Sequence, residues 1–346
     1  MEQGEQARLE DKFIGCLLGG AVGDALGFTT ENLSRKRIQA KYTRLTDYKV
    51  KPSWAYYTDD TQLTIALAET LITNDGYNNA HFRRQLARWW VVFPRLSGRS
   101  TKNAGMKCLL GMRNTGRHVP GSSGAMRAAP LALYYYDDRE TLLAKTVECC
   151  HVTHTHPSAI AGALVSVFSI AYCLSHTAFN RQEYLAEIAD VANQYDKALG
   201  QSLLDLEEML AWPEDDVLEK LLSNSKAVGS PITDIIPTAI YAFLKYPDDF
   251  DQAVLFCVNA GWDTDTMAAI VGNTSGAWNG LQGIPQRWVD NLERGYKGRN
   301  YIITLAKSLF QRQSLIKPKN AVVDYIADWW RNTRFIFNMI TRKPMW

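Results

Sequence analysis

No C-x-x-C pair occurs among the six cysteines, Cys16, Cys108, Cys149, Cys150, Cys173 and Cys257, which removes the common redox motif and the paired-cysteine zinc sites. Most of these thiols sit in apolar runs, where a free cysteine behaves as a small hydrophobe, and this usage fits a reducing compartment. An excess of one charge is also missing. The net charge is +2, with Lys and Arg spread along the chain, so composition offers no electrostatic reason to expect nucleic acid or a membrane surface as the main partner. The opening MEQGEQARLEDK is polar and acidic with no basic stretch leading into an apolar core; no secretory signal is expected, and cytoplasmic residence is. A Pro/Gly/Ser-rich linker, a repeat of about 20 to 50 residues and strand-like alternation between hairpin dipeptides are all lacking, which argues against two separate domains, a solenoid and a β fold.

What is present is helical periodicity. With 346 residues, 46% of them hydrophobic and 21% charged, the chain can bury a large core. In QLTIALAETLI, residues 62–72, apolar side chains recur at three- and four-residue spacing, and similar runs occupy 79–93, 181–192, 232–244 and 299–310, so a single all-α domain is expected. PSAIAGALVSVFSIAYCLS, residues 157–175, approaches the roughly 20 apolar residues of a membrane span, but its isolation and its Ser, Ala and Gly content predict a buried core helix. In GCLLGGAVGDALG, Gly15, Gly19, Gly23 and Gly27 stand four apart. Each glycine costs a helix roughly 0.5–1 kcal/mol relative to alanine, and close approach of a second backbone would compensate.

Two acidic clusters carry the chemistry. TDDTQ at 58–62 and GWDTDTM at 261–267 each lead into a helix-like run. Thr58, Asp59, Asp60, Asp263, Asp265 and Thr266 form an oxygen set suited to hard divalent cations. Neighbouring side chains on a helix point apart, so Asp59 and Asp60 share a site only where the chain enters the helix. Helix capping by Asp and Thr is the plainer explanation for either cluster taken alone. CCHVTHTHPSA, residues 149–159, adds His151, His154 and His156 ahead of Pro157; zinc held by Cys149, Cys150 and these histidines is a lesser reading, since the spacing is not that of a zinc finger, beside helix-entry polarity or substrate contact.

The order GAVGDALG, Glu31, YTDDTQ, SSGAMRAAPLAL (122–133), THTHP, GWDTDTMAAIVG and IPQRWVDNLE (284–293) resembles the ADP-ribosylglycohydrolase family from about residue 10 to about residue 310. The resemblance implies an all-α fold around a central cleft holding two divalent cations, Mg²⁺ or Mn²⁺, with an ADP-ribosylated protein as substrate. It assigns metal binding to Thr58, Asp59, Asp60, Asp263, Asp265 and Thr266, and catalysis to Glu31 with Asp60 and Asp265. Contact with ADP-ribose passes to Ser122, Ser123, Gly124 and the AMR residues Ala125, Met126 and Arg127, together with His154. Hydrolysis at the ribose anomeric carbon needs an activated water and stabilisation of an oxocarbenium-like or ring-opened species, with Glu31 as general base or proton shuttle. The diphosphate would suit the Gly/Ser loop at 121–124 and helix N-termini.

Departures from the family pattern are Ser122 and Ser123, where many members carry Asn-Gly, and Trp262, where a small residue commonly precedes the second acidic motif. Trp262 is therefore expected either to wall the acceptor side or to pack beneath the loop. The hydrolase domain is placed at 1–312. In the extension, 313–346, the helical stripe Val323, Ile326, Trp330, Thr333, Phe337 and Ile340 suggests a packing helix, or a partner surface with Arg331, Arg334, Arg342 and Lys343 beside it. The competing function classes are an immunity-type protein that sequesters an ADP-ribosyltransferase, and an inactive structural relative. Transferase binding that survives Asp263→Ala would favour sequestration. The intact acids and Glu31 speak against the inactive relative.

Overall fold

The computed structural model describes residues 3–49, 55–225, 229–316 and 321–341. Among them the chain forms nineteen α-helices and no strand. The first seven are α1 (Gln3–Gly27), α2 (Arg35–Tyr42), α3 (Asp59–Asn74), α4 (Asn79–Val91), α5 (Arg99–Leu109), α6 (Ser123–Met126) and α7 (Ala129–Tyr135). Then come α8 (Arg139–His151), α9 (Pro157–Ser175), α10 (Arg181–Asn193), α11 (Lys197–Leu204), α12 (Leu206–Met209) and α13 (Glu214–Leu221). The last six are α14 (Ile232–Lys245), α15 (Phe250–Ala260), α16 (Thr264–Asn279), α17 (Gln286–Asn291), α18 (Arg299–Gln311) and α19 (Ala321–Thr341). The five periodic runs of the sequence become α3, α4, α10, α14 and α18, because their apolar stripes face one contiguous core.

That core is organised by α1 and α16, which run antiparallel in backbone contact. A Cβ on Gly15, Gly19, Gly23 or Gly27 would lie 2.3, 2.4, 2.0 and 2.4 Å from the carbonyl oxygens of Gly276, Gly272, Ala268 and Thr264. The four-residue spacing is thus a seam for a second backbone. Gly23→Ala is expected to destabilise the protein by at least the ~1–3 kcal/mol of ordinary overpacking, since the obstructing atom is main chain, and to lower activity with it. Gly4→Ala, where nothing lies within 4 Å, serves as the control, and paired melting curves with activity assays check both.

Helix α9 starts at Pro157, with the His156 side chain accepting from Ser158 N. It is long and apolar enough to cross a membrane, and the apolar stretch that makes it so is 94% buried inside the protein. All six cysteines are free.

Helix α19 turns a polar face inward. Asp324 and Asp328 accept from Arg88 at 3.2 and 2.8 Å. Asn332 donates to Val92 O at 2.8 Å. Phe335, 2% exposed, lies against Tyr56 and Phe28. The stripe legible in the sequence faces outward instead: Val323, Ile326 and Trp330 are 58%, 57% and 65% exposed. Helical spacing fixes which residues share a face, but ion pairs and amide bonds on the other face decide which side docks. Arg331, read from sequence as a surface cation, donates to the Tyr57 hydroxyl. The side chain of Ile340 and residues Arg342 and Lys343 lie outside the described residues.

Candidate active site

Because the glycine seam is antiparallel, the C-terminal end of α1 meets the N-terminal end of α16. Two buried threonines fasten the junction: Thr264 Oγ1 donates to Gly27 O at 2.8 Å, and Thr30 Oγ1 donates to Val258 O at 2.7 Å. One turn before the end of α1, fully buried Asp24 receives hydrogen bonds from Thr58 N, Thr61 N and Thr61 Oγ1, the last at 2.6 Å. Asp24 thereby clamps the start of α3, whose N-cap is Thr58. Three chain segments far apart in sequence converge here, and each presents an acid at a helix end.

The two acidic motifs are brought together. Asp59 and Asp60 open α3, Asp263 is the N-cap of α16 without a side-chain capping bond, and Asp265 Oδ1 accepts from Thr266 N at 2.9 Å. Asp60 Oδ2 is buried with no hydrogen-bond partner. Burial pushes the carboxyls of Asp59, Asp60 and Asp265 well above the ordinary carboxylate range, and their carboxylate neighbours, Asp24 among them, push the same way. Asp263 is raised too, chiefly by burial. Burial lifts Asp24 to about 6, its hydrogen bonds from Thr61 and Thr58 acting against this.

Glu31 stands at the half-exposed edge of this group, after α1. Burial, then Asp263 and Asp24, push it up to about 7, while the Asn32 amide donates to Oε1 at 3.0 Å. The loop carrying Glu31 is pinned to the second motif by two main-chain bonds, Asn32 N to Trp262 O at 2.7 Å and Trp262 N to Leu33 O at 2.8 Å. Trp262 itself adopts φ +69°, a left-handed conformation costly for any residue with a Cβ. Its indole is partly exposed and packs one side on the core.

The Ser122–Met126 loop and His154 are mostly buried. Ser123, Gly124, Ala125 and Met126 are buried, and Ser122 keeps partial exposure. The Ser123 hydroxyl pairs with Thr101 Oγ1 at 2.5 Å. His154 is 2% exposed, shares a hydrogen bond with Thr153 Oγ1, and is held neutral, down to about 3, by burial and then Arg127 and Arg117. Arg127 ties the loop to the histidine segment, donating to Ser123 O, Cys149 O and Thr153 Oγ1. His156 caps α9, and His151 is exposed.

Asp24 escaped sequence reasoning as a positioning group, and Arg127, expected with the 122–133 motif to face ADP-ribose, is buried and braces that loop from beneath. Asp24 left one signal: it is the only charged residue between Lys12 and Glu31.

The acids fit divalent cations. Each is raised chiefly by burial, and the further influences that raise them are other carboxylates rather than cations, and one buried oxygen is orphaned. Among the described residues no group of three or more His, Cys, Asp or Glu side chains is already drawn together around one ion position.

The sequence profile named ADP-ribosylglycohydrolase matches residues 5–318. An uncharacterized protein of Archaeoglobus fulgidus is 31% identical over 88% of this chain and 97% of its own length. ADP-ribosylarginine hydrolase Tri1 of Serratia proteamaculans is 26% identical over 87% of this chain and 79% of its own. A solved structure titled ADP-ribosylglycohydrolase-related protein complex superimposes with a TM-score of 0.71, at 24% identity, over 88% of this chain and 99% of its own.

Proposed function

We propose that this chain, which belongs to the ADP-ribosylglycohydrolase family, removes ADP-ribose from modified protein side chains, arginine before others, by hydrolysing the bond at the ribose anomeric carbon with two divalent cations. It is an ADP-ribosyl-acceptor hydrolase by family and by its named relatives. The convergence of Asp24, Asp59, Asp60, Asp263 and Asp265 with Glu31 at the open edge carries the finer reading. Arginine is favoured because a relative 26% identical is named as an ADP-ribosylarginine hydrolase.

Thr58, Asp59, Asp60, Asp263, Asp265 and Thr266 would hold the cations, Mg²⁺ or Mn²⁺. When bound, these ions would offset the acids' mutual repulsion and polarise the ribose hydroxyls and nearby water. Asp24 fixes the α3 entry through four hydrogen bonds, so Asp59 and Asp60 would need no reorganisation to meet the cations. Glu31 takes a proton from the attacking water or passes one to the departing acceptor nitrogen, its carboxylate oriented by Asn32. The partly exposed Ser122 rim, backed by Arg127, would meet the diphosphate, and the buried Ser123–Met126 and His154 would support it from beneath. The hydrolase domain ends at residue 312, after α18, and residues 313–346 extend it.

The test is a panel of separately ADP-ribosylated Arg, Ser, Asp/Glu and nucleic-acid substrates with Mg²⁺ or Mn²⁺. ADP-ribose release from the arginine substrate ahead of the rest is expected, and release from another class alone would reassign the acceptor. Trp262→Gly belongs in the same assay. The indole flanks Asp263 at the acceptor side, where it would stack on a planar guanidinium. Its loss should shift preference among acceptors about tenfold, or ~1.4 kcal/mol. Glycine relaxes the left-handed backbone, which costs other residues roughly 1–2 kcal/mol, so the melting temperature should stay near the parent's. Equal loss toward every acceptor with a lower melting temperature would mark the indole as packing alone.

A further inference from the structure

Helix α19 lies beyond the residues that match the family profile, yet its inward face grips the segment leading into the first acidic motif. Asn332, 1% exposed, accepts from Gln62 Nε2 at 2.8 Å while donating to Val92 O at 2.8 Å. Gln62 is the last residue of TDDTQ, and its own N–H closes the first turn on Thr58 O. The other side of its amide is occupied as well, Oε1 accepting from Trp89 Nε1 at 2.9 Å. Three further contacts hold the residues just before Thr58: Arg331 to the Tyr57 hydroxyl, Asn338 to the Tyr56 hydroxyl at 2.9 Å, and Phe335 against the Tyr56 ring. The Tyr57 hydroxyl in turn donates to Lys297 O, and Phe335 also meets Phe28, three residues before Glu31.

We propose that α19 is a positioning strap for the active site, with Asn332 as its principal residue, fixing residues 56–62 so that Asp59 and Asp60 are presented in place. The inference rests on the reading of Asp59 and Asp60 as cation ligands, but the immobilisation of their segment is separable from it. A buried amide that satisfies Gln62 orients the first turn of α3 in the way outer hydrogen bonds orient the ligands of a metal, where their loss typically costs 10- to 100-fold in affinity.

The experiment uses the full chain. Asn332→Leu keeps the volume and deletes both bonds, Asn332→Asp keeps an acceptor for Gln62 Nε2, and Trp330→Ser alters only the outer face. Amide hydrogen exchange over residues 56–65 is followed without metal, and Mn²⁺ affinity is titrated separately. Exchange in N332L should quicken at least tenfold over that segment and Mn²⁺ should bind about 10- to 100-fold more weakly, while W330S matches the parent. N332D should stay within about threefold of the parent in both readouts even if its melting temperature drops. N332L within twofold of the parent, or N332D as impaired as N332L, would overturn the strap. If N332L does not fold, Phe335→Leu carries the same expectation over 55–58, and parent-like exchange there counts against the proposal. A parent protein that binds no Mn²⁺ would overturn the cation reading, and the exchange arm would still decide on the strap.

Discussion

Asp60→Asn and Asp265→Asn are each expected to abolish turnover while leaving the helical fold intact and the metal-free protein at least as stable as the parent. The sign follows from the packing of the carboxyls. Asp60 and Asp265 are buried among other acids, and Asp60 Oδ2 has no donor, so an amide removes repulsion that only a cation would otherwise offset. Added Mn²⁺ should stabilise the parent by RT ln(1 + [L]/Kd), about 2.7 kcal/mol at a hundredfold excess over Kd, and should move neither variant. Melting curves with and without Mn²⁺, read beside turnover, give the result. Full turnover in excess chelator, or in the Asp60→Asn/Asp265→Asn double variant, would end the case for cations.

Glu31→Gln should lower the rate by roughly 10²-fold or more, the scale of losing general acid–base catalysis, with affinity for ADP-ribose kept within about tenfold. Glutamine preserves the shape and the contact with Asn32 Nδ2, and Glu31 stands at the open edge rather than among the buried acids. Turnover comparable to the parent's would move the proton transfer to another group. A loss confined to KM would make Glu31 a binding residue.

Much of this was legible in the chain itself. Apolar stripes gave α3, α4, α10, α14 and α18 to within a few residues, because burying a stripe is what ends each helix where its pattern ends. The glycine row foretold a close backbone, and the backbone proved to be α16, which no spacing could name. Asp24 shows in the sequence only as a lone charge in an apolar run; its partners, Thr58 and Thr61, lie more than thirty residues away, and a hydrogen bond at that distance leaves no periodic trace. Trp262 stood out as a departure, and its positive φ gives the physical reason a glycine suits that place. For α19 the apolar stripe was legible, and its direction, left open between packing and a partner surface, is outward, since ion pairs with Arg88 and the Asn332 amide dock the other face.

The α1–α16 seam also sets when the site can exist. Thr264 and Gly27, joined by one hydrogen bond, are 237 residues apart in the chain. At the 5–20 residues per second of protein synthesis, α1 waits roughly ten to fifty seconds for the helix that covers its glycines. During that interval its row of bare backbone and small residues has no native neighbour. The acids of the two motifs are likewise kept apart until α16 emerges. A nascent or truncated chain ending before Asp263 therefore lacks half of the Thr58, Asp59, Asp60, Asp263, Asp265 and Thr266 set, so the hydrolase becomes competent only after α16 has been made, and a chaperone that shields α1 in the meantime would raise the yield of active enzyme.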